Sequence, residues 1–205
     1  MTNKDNKRDT AQVLWQRIEG RLNLHAPHAW QMLRPSAQDQ EIQQAEVAMD
    51  ITLPEDFKAS CRIHDGGYVL DLVTDMMMFS LEEIAAEWQM FQELEKVGTW
   101  SDAAPPYYFT ERITRSGWQT GPIQPTWWHQ CWVPIGRDRA GNHCCLDLAP
   151  APGGFVGQVI DRDHETGPSR VLAPRFLDIL SSFAQDMENG KYVDTVYGLR
   201  TRSED

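Results

Sequence analysis

The chain has 205 residues, of which 41% are hydrophobic and 24% charged, and its formal net charge is −11. That length holds one substantial domain with its own core and cramps two, and the composition is that of a globular chain, not a disordered one. The acidity disfavours nucleic acid as a partner, because phosphate backbones are themselves negative.

Residues 1–9 are polar and read as a flexible N-terminus ahead of a domain over 10–192, with 193–205 as a C-terminal tail. They hold no apolar run of the kind a secretory signal needs, and no later stretch is long and apolar enough for a membrane span. The expectation is a cytoplasmic chain with reduced thiols and no membrane contact. Leu14, Trp15, Ile18 and Leu22 recur at helical spacing up to a break at His25-Ala26-Pro27. Ser36 with Asp39 resembles an N-terminal cap ahead of Ile42, Ala45 and Met49. Pro54 suits the first position of a third helix, with Phe57, Cys61 and His64 along one side and Gly66-Gly67 closing it. Residues 68–79 read as strands. Ser80 and Glu83 form a capping box for a helix striped with Leu81, Ile84, Trp88, Phe91 and Leu94.

Residues 98–130 are irregular and rich in aromatics. Three strand signals follow at 131–136, 143–148 and 155–160, joined by short turns of the kind that connect antiparallel neighbours. A last helix starts near Pro174 and turns Phe176, Leu177, Leu180, Phe183 and Met187 inward. Helices, a compact antiparallel sheet and a closing helix predict a single α+β domain.

The stretch Leu53-Pro54-Glu55-Asp56-Phe57-Lys58, followed by Ile63-His64-Asp65-Gly66-Gly67, resembles the signature of the SUKH superfamily. That group comprises SMI/KNR-type cell-wall assembly regulators and bacterial toxin-immunity proteins. Residues 121–165 are similar to the family's sheet region: Trp132 and Pro134-Ile135, a turn with Gly141, Cys145-Leu146-Asp147-Leu148, Pro152-Gly153-Gly154, Gly157-Gln158-Val159-Ile160, then Asp163-His164-Glu165. The turn at 138–141 is less glycine-rich than the family's. The resemblance runs from about residue 12 to residue 192. It implies an α+β binding platform in which Leu53, Pro54, Phe57, His64, Asp65, Gly66, Gly67, Trp132, Pro134, Gly141, Asp147 and Gly157 are structural.

The residues themselves offer three pieces of candidate chemistry. His143, Cys145 and Asp147 alternate onto one strand face and would suit a metal, but a single strand spreads them too far apart for one ion. His64-Asp65 has the composition of a base with its orienting carboxylate. The capping reading is preferred, with His64 on the last helical carbonyls. Asp161, Asp163, His164 and Glu165 gather after a strand signal, where a solvated loop is the commoner outcome. Cys61, Cys131, Cys144 and Cys145 show no zinc spacing, and no nucleophile or phosphate-loop motif is present. No catalytic residue, cofactor or metal is expected. Eight tryptophans are many for this length. Trp100, Trp118, Trp127 and Trp128 stand in or beside the irregular segment as contact candidates or as cover for the core. With the polar cluster at 161–165 they form the expected partner-binding surface. The leading expectation is an immunity-type binder of a basic toxin domain, for instance a nuclease. The alternatives are a regulatory scaffold in cell-wall or envelope synthesis and a small metal-dependent hydrolase. Neither the partner nor the oligomeric state follows from sequence.

Overall fold

The structure, a computed structural model, describes residues 3–67, 76–96 and 121–202. The first apolar repeat becomes helix α1 (Asn3–His25), which buries Ala11, Leu14, Trp15, Ile18 and Leu22. Pro27 ends it and opens a short helix α2 (Pro27–Gln31) that the spacing did not announce. Helix α3 (Asp39–Met49) buries Ile42, Ala45 and Met49 as expected. Its cap is Gln38 and not Ser36. The Gln38 N–H donates to Glu41 at 2.6 Å, while the Asp39 carboxylate that would have served Ser36 pairs with Arg62 at 2.7 Å.

Helix α4 (Glu55–Cys61) begins one residue later than expected. Pro54 is its N-cap, extended at ψ 140, and the Pro54 carbonyl accepts the Lys58 N–H. The helix ends at Arg62, well before the glycine pair. Gly66 and Gly67, at φ 77 and φ 152, serve a different purpose. Gly67 exchanges both backbone hydrogen bonds with Met78 and bridges Leu33 on its other side. A Cβ on Gly67 would lie 2.9 Å from the Met32 carbonyl, and one on Gly66 would overlap the Phe79 carbonyl. Three chain segments therefore cross where only glycine fits.

Strand β1 (Met77–Met78) leads into helix α5 (Leu81–Lys96) through the expected capping box. Ser80 N–H donates to Glu83 at 2.8 Å and Glu83 N–H to Ser80 Oγ at 3.2 Å. The expected strands across 68–75, and Trp100 and Trp118, lie outside the described residues. Then come β2 (Trp132–Arg137), β3 (His143–Asp147), β4 (Gln158–Asp163) and β5 (Gly167–Ala173). With β1 they form an antiparallel sheet in the order β1-β2-β3-β4-β5. The third strand signal is displaced: Phe155 and Val156 stay outside the sheet, and Asp161 and Asp163 sit inside β4 instead of in a loop. Strand β5 occupies a stretch in which no strand was expected.

Helix α6 (Phe176–Glu188) buries all five residues assigned to its inner side and packs against α1. Beyond residue 192, where the sequence reading placed no element, β6 (Tyr192–Thr195) and β7 (Gly198–Thr201) pair as a hairpin. Asp194 turns inward from it to receive the N–H groups of His28 and Ala29 at 3.1 and 3.2 Å, which caps α2. The described residues thus carry six helices and two sheets in an α+β domain. No described helix is long and apolar enough to cross a membrane.

Candidate functional site

Pleating sends alternate residues of each strand to opposite faces. Val133, Ile135, Cys144, Leu146 and Val159 join the core beneath the helices, and Trp132, Cys145 and Ile160 join a second cluster with Phe91, Ile123 and Trp128 on the other side. Antiparallel register stacks this outer face into rows across the strands. Trp132, Asp147 and Gln158 make one row, Cys145, Ile160 and Val171 the next, and Arg137, His143 and Arg162 the third.

His143, Cys145 and Asp147 do share a face, as alternation requires, but each heads a different row, and the outer two stand about 13 Å apart at strand rise. Asp147 accepts hydrogen bonds from Trp132 Nε1 at 3.2 Å and Gln158 Nε2 at 2.9 Å, and its Oδ1 also takes the Ala149 N–H. Gln158 extends the chain to the Pro122 carbonyl and the Phe155 N–H. Burial pushes the Asp147 carboxyl up, and these donors offset part of that. In the third row His143 Nε2 meets Glu87 of α5 at 2.7 Å, and Arg137 reaches the same oxygen at 3.2 Å. Burial holds His143 below the ordinary imidazole value and outweighs Glu87. Burial raises Glu87, but His143 and Arg137 outweigh it and hold that carboxyl low. The pair is therefore a neutral imidazole donating to a carboxylate. The buried Nδ1 left over has no hydrogen-bond partner among the described residues, and an unmet neutral acceptor costs less than an unmet charge.

Arg162, 1% exposed, lies against Phe91, Trp127 and Trp128 with its guanidinium carbon 4.7, 5.3 and 5.8 Å from the three rings. Trp128 is 4% exposed and stacks on Phe91 at 4.2 Å, so it covers the sheet and offers a partner no free face. Trp127 is half-buried, and its carbonyl accepts from Arg162.

The polar cluster at 161–165 divides. Asp161 faces the helix side, next to Ser169 and Arg170. Asp163 receives the N–H groups of Glu165 and Thr166, both at 2.8 Å, and closes the β4–β5 turn. Burial acts to raise its carboxyl, and those two donors overcome it and keep it low. His164 bonds Asn142, which in turn bonds Asp138, so the two neighbouring turns are stitched together, with Gly141 at φ 95 between them. Glu165 is exposed.

The signature residues are also brought together. Leu53 is buried, Phe57 meets Phe176 edge-to-face at 4.9 Å, and Pro54 packs against Gly157. His64 does not cap α4. Its Nδ1 faces the Arg34 carbonyl at 2.7 Å, its Nε2 faces Glu19 at 2.8 Å, and Trp15 covers its edge. Asp65 accepts the Leu81 N–H and so supports the start of α5. Pro134 precedes the register shift of β2. Sequence reasoning missed Glu87, Gln158 and Arg162, because nothing local to a polar residue shows which distant partners bury it. Among the described residues no three of His, Cys, Asp and Glu gather as a metal ion would need.

Residues 36–182 match the sequence model of a family described as the SMI1 / KNR4 family (SUKH-1). The chain is 30% identical over 159 residues to the cell wall biosynthesis/cell cycle regulator smi1 of Schizosaccharomyces pombe, across 75% of this chain and 31% of that one. It is 26% identical to the glucan synthesis regulatory protein of Neurospora crassa, across 87% of this chain and 38% of the relative. It is 25% identical to the cell wall assembly regulator SMI1 of Saccharomyces cerevisiae, across 88% and 41%. The chain thus spans well under half the length of these relatives.

Proposed function

The chain belongs to the SMI1 / KNR4 family (SUKH-1), and from that premise we propose that it is a protein-binding module that regulates cell-wall or envelope synthesis by contact and not by catalysis. One observation carries this reading: among the described residues, the histidines and carboxylate that looked most like chemistry are bound into the scaffold. His143 is held by Glu87, Asp147 by Trp132 and Gln158, and His64 by Glu19 and the Arg34 carbonyl. The relatives' names supply the direction, since they are regulators of wall assembly and glucan synthesis.

This reverses the order expected from sequence, which put toxin immunity first. Immunity remains the second reading on the strength of the net charge of −11, which would steer a basic toxin domain toward this surface. Deletion of the gene in its own host separates the two. The regulator reading expects greater sensitivity to wall-binding dyes and wall-digesting enzymes with no toxin present, restored by the intact chain. Unaltered walls, together with one stoichiometric basic toxin-like partner lost at high salt, would transfer the assignment to immunity.

A further inference from the structure

We propose that the trough between the α3–α4 turn and the end of the sheet, with the Phe155–Val156 knob beside it, docks a short partner segment that sets an apolar side chain next to a basic one. This rests on the protein-contact reading and adds the surface and the chemistry of what it receives.

The trough encloses about 570 Å³, with Ile51, Leu53, Pro54, Leu148 and Val156 among its walls. That lies within the roughly 300–1,000 Å³ of ordinary binding sites, and its walls are mostly apolar in the same way. Phe155 and Val156 are 59% and 72% exposed. Single apolar side chains on a surface need no explanation. Val13, Leu24 and Val47 stand on helices, and Val196 and Tyr197 form an adjacent pair between β6 and β7, where Tyr197 lies beneath Arg139. Phe155 and Val156 differ because the knob adjoins an apolar trough and Val156 belongs to both.

The loop that presents them is fixed. Gly154 N–H bonds the Ala151 carbonyl, Phe155 N–H bonds Gln158, and Gly157 N–H bonds the Asp147 carbonyl at 2.8 Å. The two apolar side chains are thus held in water by the buried row beneath them, and a partner finds them already ordered, which lowers the entropic cost of binding. Gly157 has φ 88, and a Cβ there would press to 3.2 Å from Pro54, so glycine keeps the floor of the trough open.

Charge selects the occupant. Asp50, Glu55 and Asp56 line the trough against one cation, Arg175. Behind them Lys58 is already held by Glu46 at 3.0 Å and Glu55 at 2.9 Å. Asp56 is buried, and Glu46 and Glu55 share Lys58, so the carboxylate that a Lys or Arg flanking the apolar anchor would meet is the exposed Asp50 at the rim.

The test is a library of random twelve-residue peptides displayed on phage and panned against the full chain, with enriched peptides then titrated by fluorescence anisotropy at low and high salt. The expected peptides carry a large apolar residue beside Lys or Arg. The double variant F155S/V156K, at exposed positions, should weaken them about tenfold or more, as loss of a central anchor does. Asp50→Asn keeps a residue type that accepts the left-handed cap and should weaken binding a few-fold with a shallower salt dependence. Val13→Ser, on α1, should leave binding unchanged. No enrichment, enrichment without a basic residue, or peptides indifferent to F155S/V156K would each overturn the proposal. Failed panning beside a clear wall phenotype removes the trough alone; bound peptides beside unaltered walls remove the regulator reading alone.

Discussion

On the helix side of the sheet, Val133, Ile135, Leu146 and Val159 belong to one large apolar cluster, whereas on the far side buried polar rows flank an apolar one. Both faces exclude water, and they do so under different physical rules. The helix side is non-directional, so similar volumes would serve nearly as well. The far side is directional: Asp147 fits only if Trp132 and Gln158 arrive in register, and a one-residue slip would leave several buried polar groups without partners. Polar satisfaction there fixes which residues pair, and apolar burial on the other face supplies most of the stability.

The comparison can be broken at several points. Leu146→Ala, at a fully buried site on the helix side, should cost about 2–5 kcal/mol in urea unfolding. If the polar row sets only register, Asp147→Ala should cost less, about 2–3 kcal/mol, because three donors lose their acceptor. A larger loss than Leu146→Ala would mean that the polar row is also the main source of stability.

The third row is sharpened by pH. Burial holds folded His143 below its ordinary 6.5. As pH falls through that value the unfolded chain takes a proton that the folded chain refuses, so stability should drop by up to about 1.4 kcal/mol per pH unit. Glu87, held low, adds a further loss only in more acidic solution, below its ordinary 4.5. Asp147 and Asp161, raised by burial, act the other way above 3.8. His143→Gln should flatten the change in urea midpoint between about pH 7.5 and 5.5; an unaltered slope would place the titrating group elsewhere. Ser80→Ala tests the helix that touches both faces, and loss of its cap should cost about 1 kcal/mol. The smallest effect belongs to the surface: F155S/V156K should move stability by less than about 0.5 kcal/mol.

The helix side was legible in the sequence because burial there leaves a period. Leu14, Trp15, Ile18 and Leu22 on α1, and Phe176 to Met187 on α6, needed no other signal. The capping box at Ser80 was equally local. The far side left no such trace. Arg162 looks like a strand-end charge in Asp161-Arg162-Asp163, and only the rings of Phe91, Trp127 and Trp128 show that it is interior. Phe155-Val156 looks like the start of a strand and is a protruding knob, because Gly157 redirects the chain before β4 begins. The glycine pair at 66–67 was expected to close the helix that begins near Pro54, and both glycines instead have positive φ beyond its end. What that conformation is for depended on Leu33 and Met78, which no spacing within the signature could reveal. Of the expected contact surface, Trp128 went to the interior and Asp163 to a turn, since both roles require partners distant in sequence.

In strands β2 to β5, chain order and spatial order coincide. Each strand finds its neighbour across a short connection, so the entropy lost in closing each loop is small. Helix α1 instead packs both on α4 and on α6, from the other end of the chain, and α2 is capped by the equally distant Asp194. From this division of local and distant contacts we expect the four-strand meander to form first and the two chain ends to dock last. Pulse-labelled hydrogen exchange should find the amides of β3 and β4 protected before those of α1, and a destabilised chain should open first where its ends meet.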